Sequence, residues 1–118
     1  MKRLVPVALA ALALAAPATA TPPVALQVAA RENSYTLSTD KVRSGKFTIE
    51  IVNYGEDPHD LVIRIHSNTI QSVIVPPGQR RQLVVKLRQG TYELYCSLGD
   101  HRALGMDTTL RVGDRKKF

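Results

Sequence analysis

The feature that most constrains the fold of this chain is an alternation of apolar and polar residues with a period of two. It is clearest in KFTIEIVNY, where Phe47, Ile49 and Ile51 fall on one face. A run with this period is typical of a half-buried strand and not of a helix. Similar short runs lie at 24–28 and 35–37. No long amphipathic pattern follows residue 20, so an all-β fold is predicted.

Turn signals separate these alternating runs. Gly45 comes just before KFTIEIV, a Gly and acidic residues fill 53–58, Pro76-Pro77-Gly78 divides SVIV from QLVVKL, and Gly90 precedes TYELYC. Glycine, proline and short polar residues favour such turns for steric and hydrogen-bonding reasons. Seven or eight short strands at this spacing predict an antiparallel Greek-key β-sandwich or barrel.

The first twenty residues have the layout of a secretory signal peptide. Lys2 and Arg3 give a basic start, an Ala- and Leu-rich stretch follows, and Ala18-Thr19-Ala20 forms a small-residue cleavage site. A membrane anchor is the alternative, but the apolar stretch is short for a bilayer span and Pro6 interrupts it. We therefore predict a signal peptide over residues 1–20 and export to the periplasm or the cell exterior.

The predicted mature chain, residues 21–118, is long enough for one compact domain. The full sequence carries a net charge of +6, and loss of Lys2 and Arg3 leaves about +4. These charges are scattered and form no basic stripe interleaved with aromatic residues. Nucleic acid is therefore not an expected partner, and neither is stable membrane insertion after cleavage.

The single cysteine, Cys96, is unusual for an exported protein. Structural cysteines in an oxidising compartment come in pairs, so an unpaired one suggests a reactive or metal-binding thiol. In YCSLGDHRALGM, Cys96, His101 and Met106 are spaced five and five. A thiolate, an imidazole and a thioether are ligands that suit copper. His59, in NYGEDPHDLVI, is the candidate for a second imidazole.

Strand parity distinguishes the histidines. In HDLVIRIH, His59 shares a face with Leu61 and Ile63 and should point inward, whereas His66 lies on the opposite face and is expected at the surface. Cys96 has the parity of the apolar residues of TYELYC and should also point inward. Two strand ends can thus bring their ligands to one ion.

Each candidate ligand has a plainer interpretation. A buried histidine can be a hydrogen-bonded core residue, a lone cysteine a small buried hydrophobe, and a methionine a space filler. Their joint occurrence at one predicted end of the sandwich favours a metal site.

These residues resemble the cupredoxins, the family of small blue copper proteins. The resemblance covers roughly 46–112 and is most specific in GTYELYCSLGDHRALGMDTTLRV. The family pattern is a Gly, a Tyr two residues on, a Cys at the strand end, then a His and a Met in one loop. The matching residues here are Gly90, Tyr92, Cys96, His101 and Met106.

The upstream part of the family pattern, an Asn followed by a turn and Pro-His, matches Asn53 and Pro58-His59. The gaps on either side of His101 are similar to those of rusticyanin and sulfocyanin, whereas the Cys-to-His gap of plastocyanin is shorter.

The resemblance implies one type 1 copper ion that cycles between Cu(I) and Cu(II). Two imidazoles, a thiolate and a weak thioether suit both states. The implied ligands are His59, Cys96, His101 and Met106. The implied function is a monomeric one-electron carrier, not an enzyme, that meets redox partner proteins transiently. An apolar docking patch around the edge of His101 would comprise Pro58, Leu98, Ala103 and Leu104.

One departure from the family pattern is Asp60, since many cupredoxins have Asn after the first ligand histidine. An ionised carboxylate accepts hydrogen bonds from a backbone N–H or a hydroxyl, such as that of Ser97, but cannot donate one. We expect a shifted reduction potential or a looser loop, with the site retained.

Other functions remain open from the sequence. An exported copper chaperone or buffer would need no redox cycle, although methionine- or histidine-rich tracts are missing. A copper enzyme would need further histidines, and only His66 remains. A catalytic cysteine would lack any accompanying signature. Zinc suits Cys and His, but a thioether is a poor ligand for it.

Overall fold

The fold consists of strands arranged in two sheets. A computed structural model describes residues 2–4 and 20–114, and these residues contain strands but no helix. The strands are β1 (Val24–Arg31), β2 (Ser34–Leu37), β3 (Lys41–Arg43), β4 (Gly45–Asn53), β5 (His59–Ile65), β6 (Asn68–Val75), β7 (Arg80–Leu87), β8 (Gly90–Tyr95) and β9 (Asp107–Gly113). One sheet has the order β2-β1-β4-β7 and the other β3-β9-β8-β5-β6. The predicted all-β sandwich is confirmed.

Most of the predicted signal peptide, residues 1 and 5–19, lies outside the described residues. Its cleavage stays a prediction. Across the part of the chain that is described, no helix has the length and apolarity needed to cross a membrane.

Two details of the sheets differ from the prediction. The described residues form nine strands, not the predicted seven or eight, because β3 is only three residues long, too short to show an alternating pattern. The sandwich is also not wholly antiparallel, because β1 pairs with β4 and β3 pairs with β9 in parallel. After the β1–β2 hairpin the chain crosses to the other sheet as β3. It then returns as β4, which can lie beside β1 in the same direction.

The core lies between the two sheets and follows the alternation of each strand. Phe47, Ile49 and Ile51 of β4 are buried as predicted, and β7 contributes every second residue in the same way. Burial of each large apolar side chain stabilises the fold by about 1.5–3 kcal/mol. The largest fully buried apolar side chains are Leu26, Ile49, Ile51, Leu61, Ile63, Leu94, Met106 and Leu110.

Strand β5 is buried on both faces where it begins. His59, Leu61 and Ile63 point into the core as predicted, but Asp60 and Val62 on the opposite face are also buried. β5 lies between β8 and β6 in the five-stranded sheet. Its first residues are therefore shielded by neighbouring strands and by the loops around them.

One end of the sandwich collects the connections that matter for the site. β4 and β8 end there, and β5 and β9 begin there. Because β1 runs parallel to β4, the β1–β2 turn at residues 32–33 lies at this same end. The loops 54–58 and 96–106 are thus held next to each other and next to that turn.

Candidate metal centre

Three of the four predicted ligands converge at this end. His59 opens β5, Cys96 directly follows β8, and His101 lies in the loop that leads to β9. The Nδ1 atoms of His59 and His101 are 3.2 Å apart, and Cys96 Sγ is 3.5 Å from His101 Nδ1. One ligand atom from each of the three residues lies within 4.8 Å of the others.

The donor set fits a transition-metal ion. Two imidazole nitrogens and a sulfur face one another, with His59 and Cys96 fully buried and the side chain of His101 15 % exposed. Imidazole and thiolate are the ligands that copper and zinc share. The site is thus closed on its inner side and reaches the surface through one imidazole.

The protonation of the two buried candidate ligands, His59 and Cys96, follows from their surroundings. Burial lowers the pKa of His59, partly opposed by the nearby Glu32 carboxylate. Burial also raises the pKa of the Cys96 thiol. At neutral pH His59 is therefore a neutral imidazole, and a metal ion must displace the proton of Cys96.

Met106, the fourth predicted ligand, is fully buried at the entrance to β9. Its backbone N–H donates to the His101 carbonyl at 3.0 Å, and its carbonyl accepts from the Cys96 N–H at 3.1 Å. The Met106 backbone therefore joins the two ends of loop 96–106, which is called the ligand loop below because it carries three of the four predicted ligands. Coordination by its thioether stays a prediction.

The loop between Cys96 and Met106 is folded on itself by backbone hydrogen bonds. His101 N–H donates to the Leu98 carbonyl and Leu104 N–H to the Asp100 carbonyl. The guanidinium of Arg102 lies 4.0 Å from the centre of the Tyr95 ring, and it donates to Glu93. Because Arg102 directly follows His101, this anchoring restrains the backbone that carries the imidazole.

Asp60 connects β5 to the start of the ligand loop at Ser97. Its ionised carboxylate can make this connection only by accepting hydrogen bonds. Its Oδ1 accepts the Ser97 N–H at 2.6 Å, and its other oxygen accepts the Ser97 hydroxyl. The Asp60 N–H lies 3.5 Å from Cys96 Sγ. The carboxylate therefore ties β5 to the Cys96 loop without the donor that an asparagine would supply.

Asn53 shapes the loop in front of His59. Its side-chain amide donates to the carbonyls of Asp57 and Val75 at 2.8 and 2.9 Å, and its Oδ1 accepts the Gly55 N–H at 2.8 Å. The side chain is buried, so these bonds fix the loop from inside.

Two residues near the centre were not identified from the sequence. The Tyr35 hydroxyl donates to the Asp60 carbonyl, and burial raises the pKa of Tyr35. The Glu32 carboxylate accepts the backbone N–H groups of Glu56 and Asp57. Both residues belong to the β1–β2 hairpin, in which Asn33 has φ 63° at the turn. The alternating runs at 24–28 and 35–37 predicted its strands, but no sequence signal placed the hairpin beside the metal site.

The surface around His101 is partly apolar. Of the predicted patch, Pro58, Ala103 and Leu104 are exposed, whereas Leu98 is half-buried against the core. His66 is exposed as expected, but the reason is its place in the β5–β6 turn, where it has φ 54°, and not strand parity, since it lies beyond the end of β5.

The chain is similar to known proteins both in sequence and in fold. The family model of the cupredoxin-like domain matches residues 4–106. A search of curated protein sequences finds no match.

Several solved structures share the fold. The dithionite-reduced auracyanin of the photosynthetic bacterium Roseiflexus castenholzii is 18 % identical, with a TM-score of 0.63 over 80 % of this chain and 98 % of that one. An auracyanin B structure is 16 % identical, with a TM-score of 0.66 over 80 % and 91 %. A multicopper oxidase is 14 % identical, with a TM-score of 0.62, over 79 % of this chain but only 46 % of the oxidase.

Proposed function

This chain belongs to the cupredoxin-like domain family, and we propose that it is an exported copper protein that carries single electrons between redox partners. The observation that carries the proposal is the convergence of His59 Nδ1, His101 Nδ1 and Cys96 Sγ at a largely buried end of a rigid sandwich. A bound copper ion would supply the one-electron chemistry, since these ligands suit both of its oxidation states. The chain's own task is to hold them still.

Several contacts support a site that changes little during a redox cycle. Asp60 ties β5 to the Cys96 loop through Ser97, and Met106 joins the ends of that loop through backbone hydrogen bonds. A scaffold that is already ordered has little to rearrange when an electron arrives. We propose His59, Cys96 and His101 as the main ligands and Met106 as the weak fourth ligand of a type 1 centre.

The shape of the surface supports transient partners. His101 is the ligand that reaches solvent, and exposed apolar side chains of Pro58, Ala103 and Leu104 lie on the loops around it. Redox complexes bury small interfaces, below about 1,200 Å², and dissociate quickly. We propose a monomer that exchanges electrons through this edge in the periplasm or outside the cell.

A catalytic role is not proposed for this chain. The multicopper oxidase that shares the fold extends well beyond the matched region. The sequence holds three histidines, and His66 is exposed in the β5–β6 turn. Its histidines therefore do not provide for a further copper centre alongside His59 and His101.

The test is the visible spectrum of the mature protein loaded with Cu(II), compared with Cys96→Ala and with the control His66→Ala. We expect an intense thiolate-to-copper band at about 600 nm in the wild type and in His66→Ala, bleached by reductant and restored by oxidant. The band should be missing in Cys96→Ala. A colourless protein that still binds Cu(I) tightly would replace the electron carrier with copper delivery.

A further inference from the structure

We propose that Glu32 is a positioning residue for the metal centre, whose carboxylate holds the His59 imidazole with its Nε2–H outward and its Nδ1 free to bind the ion. The inference rests on the proposed function only in taking His59 as a ligand. It concerns the side of the imidazole that faces away from Cys96 and His101.

The geometry places a negative charge at the outer nitrogen of His59. Glu32 Oε2 lies 3.7 Å from His59 Nε2, a distance at which the carboxylate attracts a proton on that nitrogen. Within the described part of the chain, Nε2 of His59 is buried and makes no hydrogen bond. A carboxylate can only accept, so its field favours the tautomer with the proton on Nε2.

The two oxygens of Glu32 have different tasks. Oε1 accepts the backbone N–H groups of both Glu56 and Asp57, the latter at 3.1 Å. These bonds tether the carboxylate to the loop that precedes His59. Oε2 is the oxygen left to face the imidazole, so the same side chain orders the loop and orients the ligand.

Gly55 provides the space for this arrangement. A Cβ at this position would overlap Glu32 Oε1 and would lie 3.0 Å from His59 Nε2. Gly55 is not among the glycines with positive φ, so backbone conformation does not explain the residue. The absence of a side chain is what lets the carboxylate approach the imidazole.

The contact between the two imidazoles agrees with this assignment. The Nδ1 atoms of His59 and His101 are 3.2 Å apart, and a hydrogen bond between them needs one proton. If Glu32 keeps the proton of His59 on Nε2, the donor is His101. The Nδ1 of the buried imidazole then carries no proton before any metal arrives, and its lone pair accepts the His101 N–H.

The decisive variant is Glu32→Gln. The two backbone N–H groups require an acceptor, so the amide oxygen should replace Oε1 and the amide NH₂ should face His59 Nε2. The loop contacts are kept while an acceptor beside the imidazole becomes a donor. Glu50→Gln is the control, because it removes the same charge from a glutamate that does not contact His59. Glu50 lies on β4 and accepts from Gln27, Gln82 and Arg80.

The first readout uses metal-free protein and ¹⁵N NMR of the histidine rings. We expect His59 to carry its proton on Nε2 in the wild type and in Glu50→Gln, and to move towards the Nδ1–H tautomer in Glu32→Gln. The second readout is competition for Cu(I) with a chromogenic chelator. Affinity should fall about 10–100-fold in Glu32→Gln and stay unchanged in the control.

Gly55→Ala gives an independent check. Its added methyl group should push the Glu32 carboxylate away from the imidazole, while residue 32 remains a glutamate. The same tautomer change is expected there, and this variant decides if Glu32→Gln does not fold. An Nδ1–H tautomer in the wild type, or a His59 tautomer that neither variant moves, would overturn the inference. The two proposals can also fail separately. If the variants lose the Nε2–H tautomer of His59 but the copper-loaded wild type cannot be reduced and reoxidised, the positioning role of Glu32 is supported and the electron carrier is rejected.

Discussion

At the scale of single residues, Asp60 decides how β5 is joined to the ligand loop. Both of its carboxylate oxygens are occupied by Ser97, and its exposure is only 5 %. An asparagine could make the same bonds, with its oxygen on the Ser97 N–H and its NH₂ on the Ser97 hydroxyl. What distinguishes the aspartate is therefore its negative charge next to the Cys96 loop.

We expect Asp60→Asn to raise the reduction potential, because a negative charge near the ion favours Cu(II) over Cu(I). A unit charge several ångströms away at an effective dielectric of 20 contributes on the order of 1–3 kcal/mol, which is about 50–130 mV for one electron. A redox titration measures the shift. Ser97→Ala, which keeps the charge and removes a donor, should move the potential much less. An unchanged or lower potential in Asp60→Asn would contradict this role.

The raised pKa of Cys96 predicts how copper affinity depends on pH. Below that pKa, which lies above the ordinary value of 9.0, the metal-free thiol is protonated and each ion bound releases one proton. Because the pKa of His59 is lowered, its imidazole carries no extra proton at neutral pH, and no proton competes with the ion there. Cu(I) affinity should rise about tenfold per pH unit between about pH 7 and 8.5.

Competition titrations at several pH values measure this slope. Cys96→Ser should bind weakly and lose most of the dependence, because no thiol is left to deprotonate. A flat affinity in the wild type would mean that Cys96 is already a thiolate or does not bind the ion.

At the scale of strands and loops, Glu93 of β8 connects three parts of the structure. It accepts from Arg64 of β5 at 2.6 and 3.1 Å, and from Arg102 of the ligand loop. The hydrogen bonds from Arg64 are the main cause of a lowered pKa for Glu93. A strand residue thereby holds the segment that follows His101.

We expect Glu93→Gln to reduce the free energy of unfolding at pH 7 by less than about 1 kcal/mol, since the ion pairs are partly exposed. Because the folded pKa is lowered, this stabilisation is present above the ordinary value of 4.5 and is lost as the pH falls through the folded pKa. Urea unfolding at pH 7 and at pH 3.5 should show a larger loss of unfolding free energy in Glu93→Gln at the higher pH than at the lower one.

The exposed Glu56→Gln serves as the control, with little change at either pH. A Glu93→Gln deficit that is equal at both pH values would assign the effect to packing and not to charge.

The strands show which parts of this fold the sequence could predict. The period-two pattern of Phe47, Ile49 and Ile51 reports a sheet face directly, and the parity of His59 is set by the same geometry. The parallel pairing of β1 with β4 leaves no such mark, because it depends on which strands meet after the chain crosses between sheets. Glu32 was missed for that reason: its turn reaches the site only through this pairing.

At the scale of the whole molecule, most of the core lies apart from the predicted metal site. The core is buried between the sheets along their length, while the predicted ligands lie at strand ends and on connections at one end. Cys96 and Met106 belong to both, since they are buried with the core and also bound the ligand loop. Metal binding should therefore add to the stability of an already folded domain.

A ligand that binds only the folded state stabilises it by about 2.7 kcal/mol at one hundred times its dissociation constant. For a domain of this size each kcal/mol raises the Tm by about 4–8 °C, so copper-loaded protein should melt at least about 10 °C above metal-free protein. Cys96→Ala should close most of that gap, because the thiolate is lost. Ile51→Val, a core change costing about 0.5–1.5 kcal/mol, should lower both melting temperatures and keep the gap. A gap that survives in Cys96→Ala would place the stabilising ion at some other site, because both variants keep the sandwich and only one removes the sulfur.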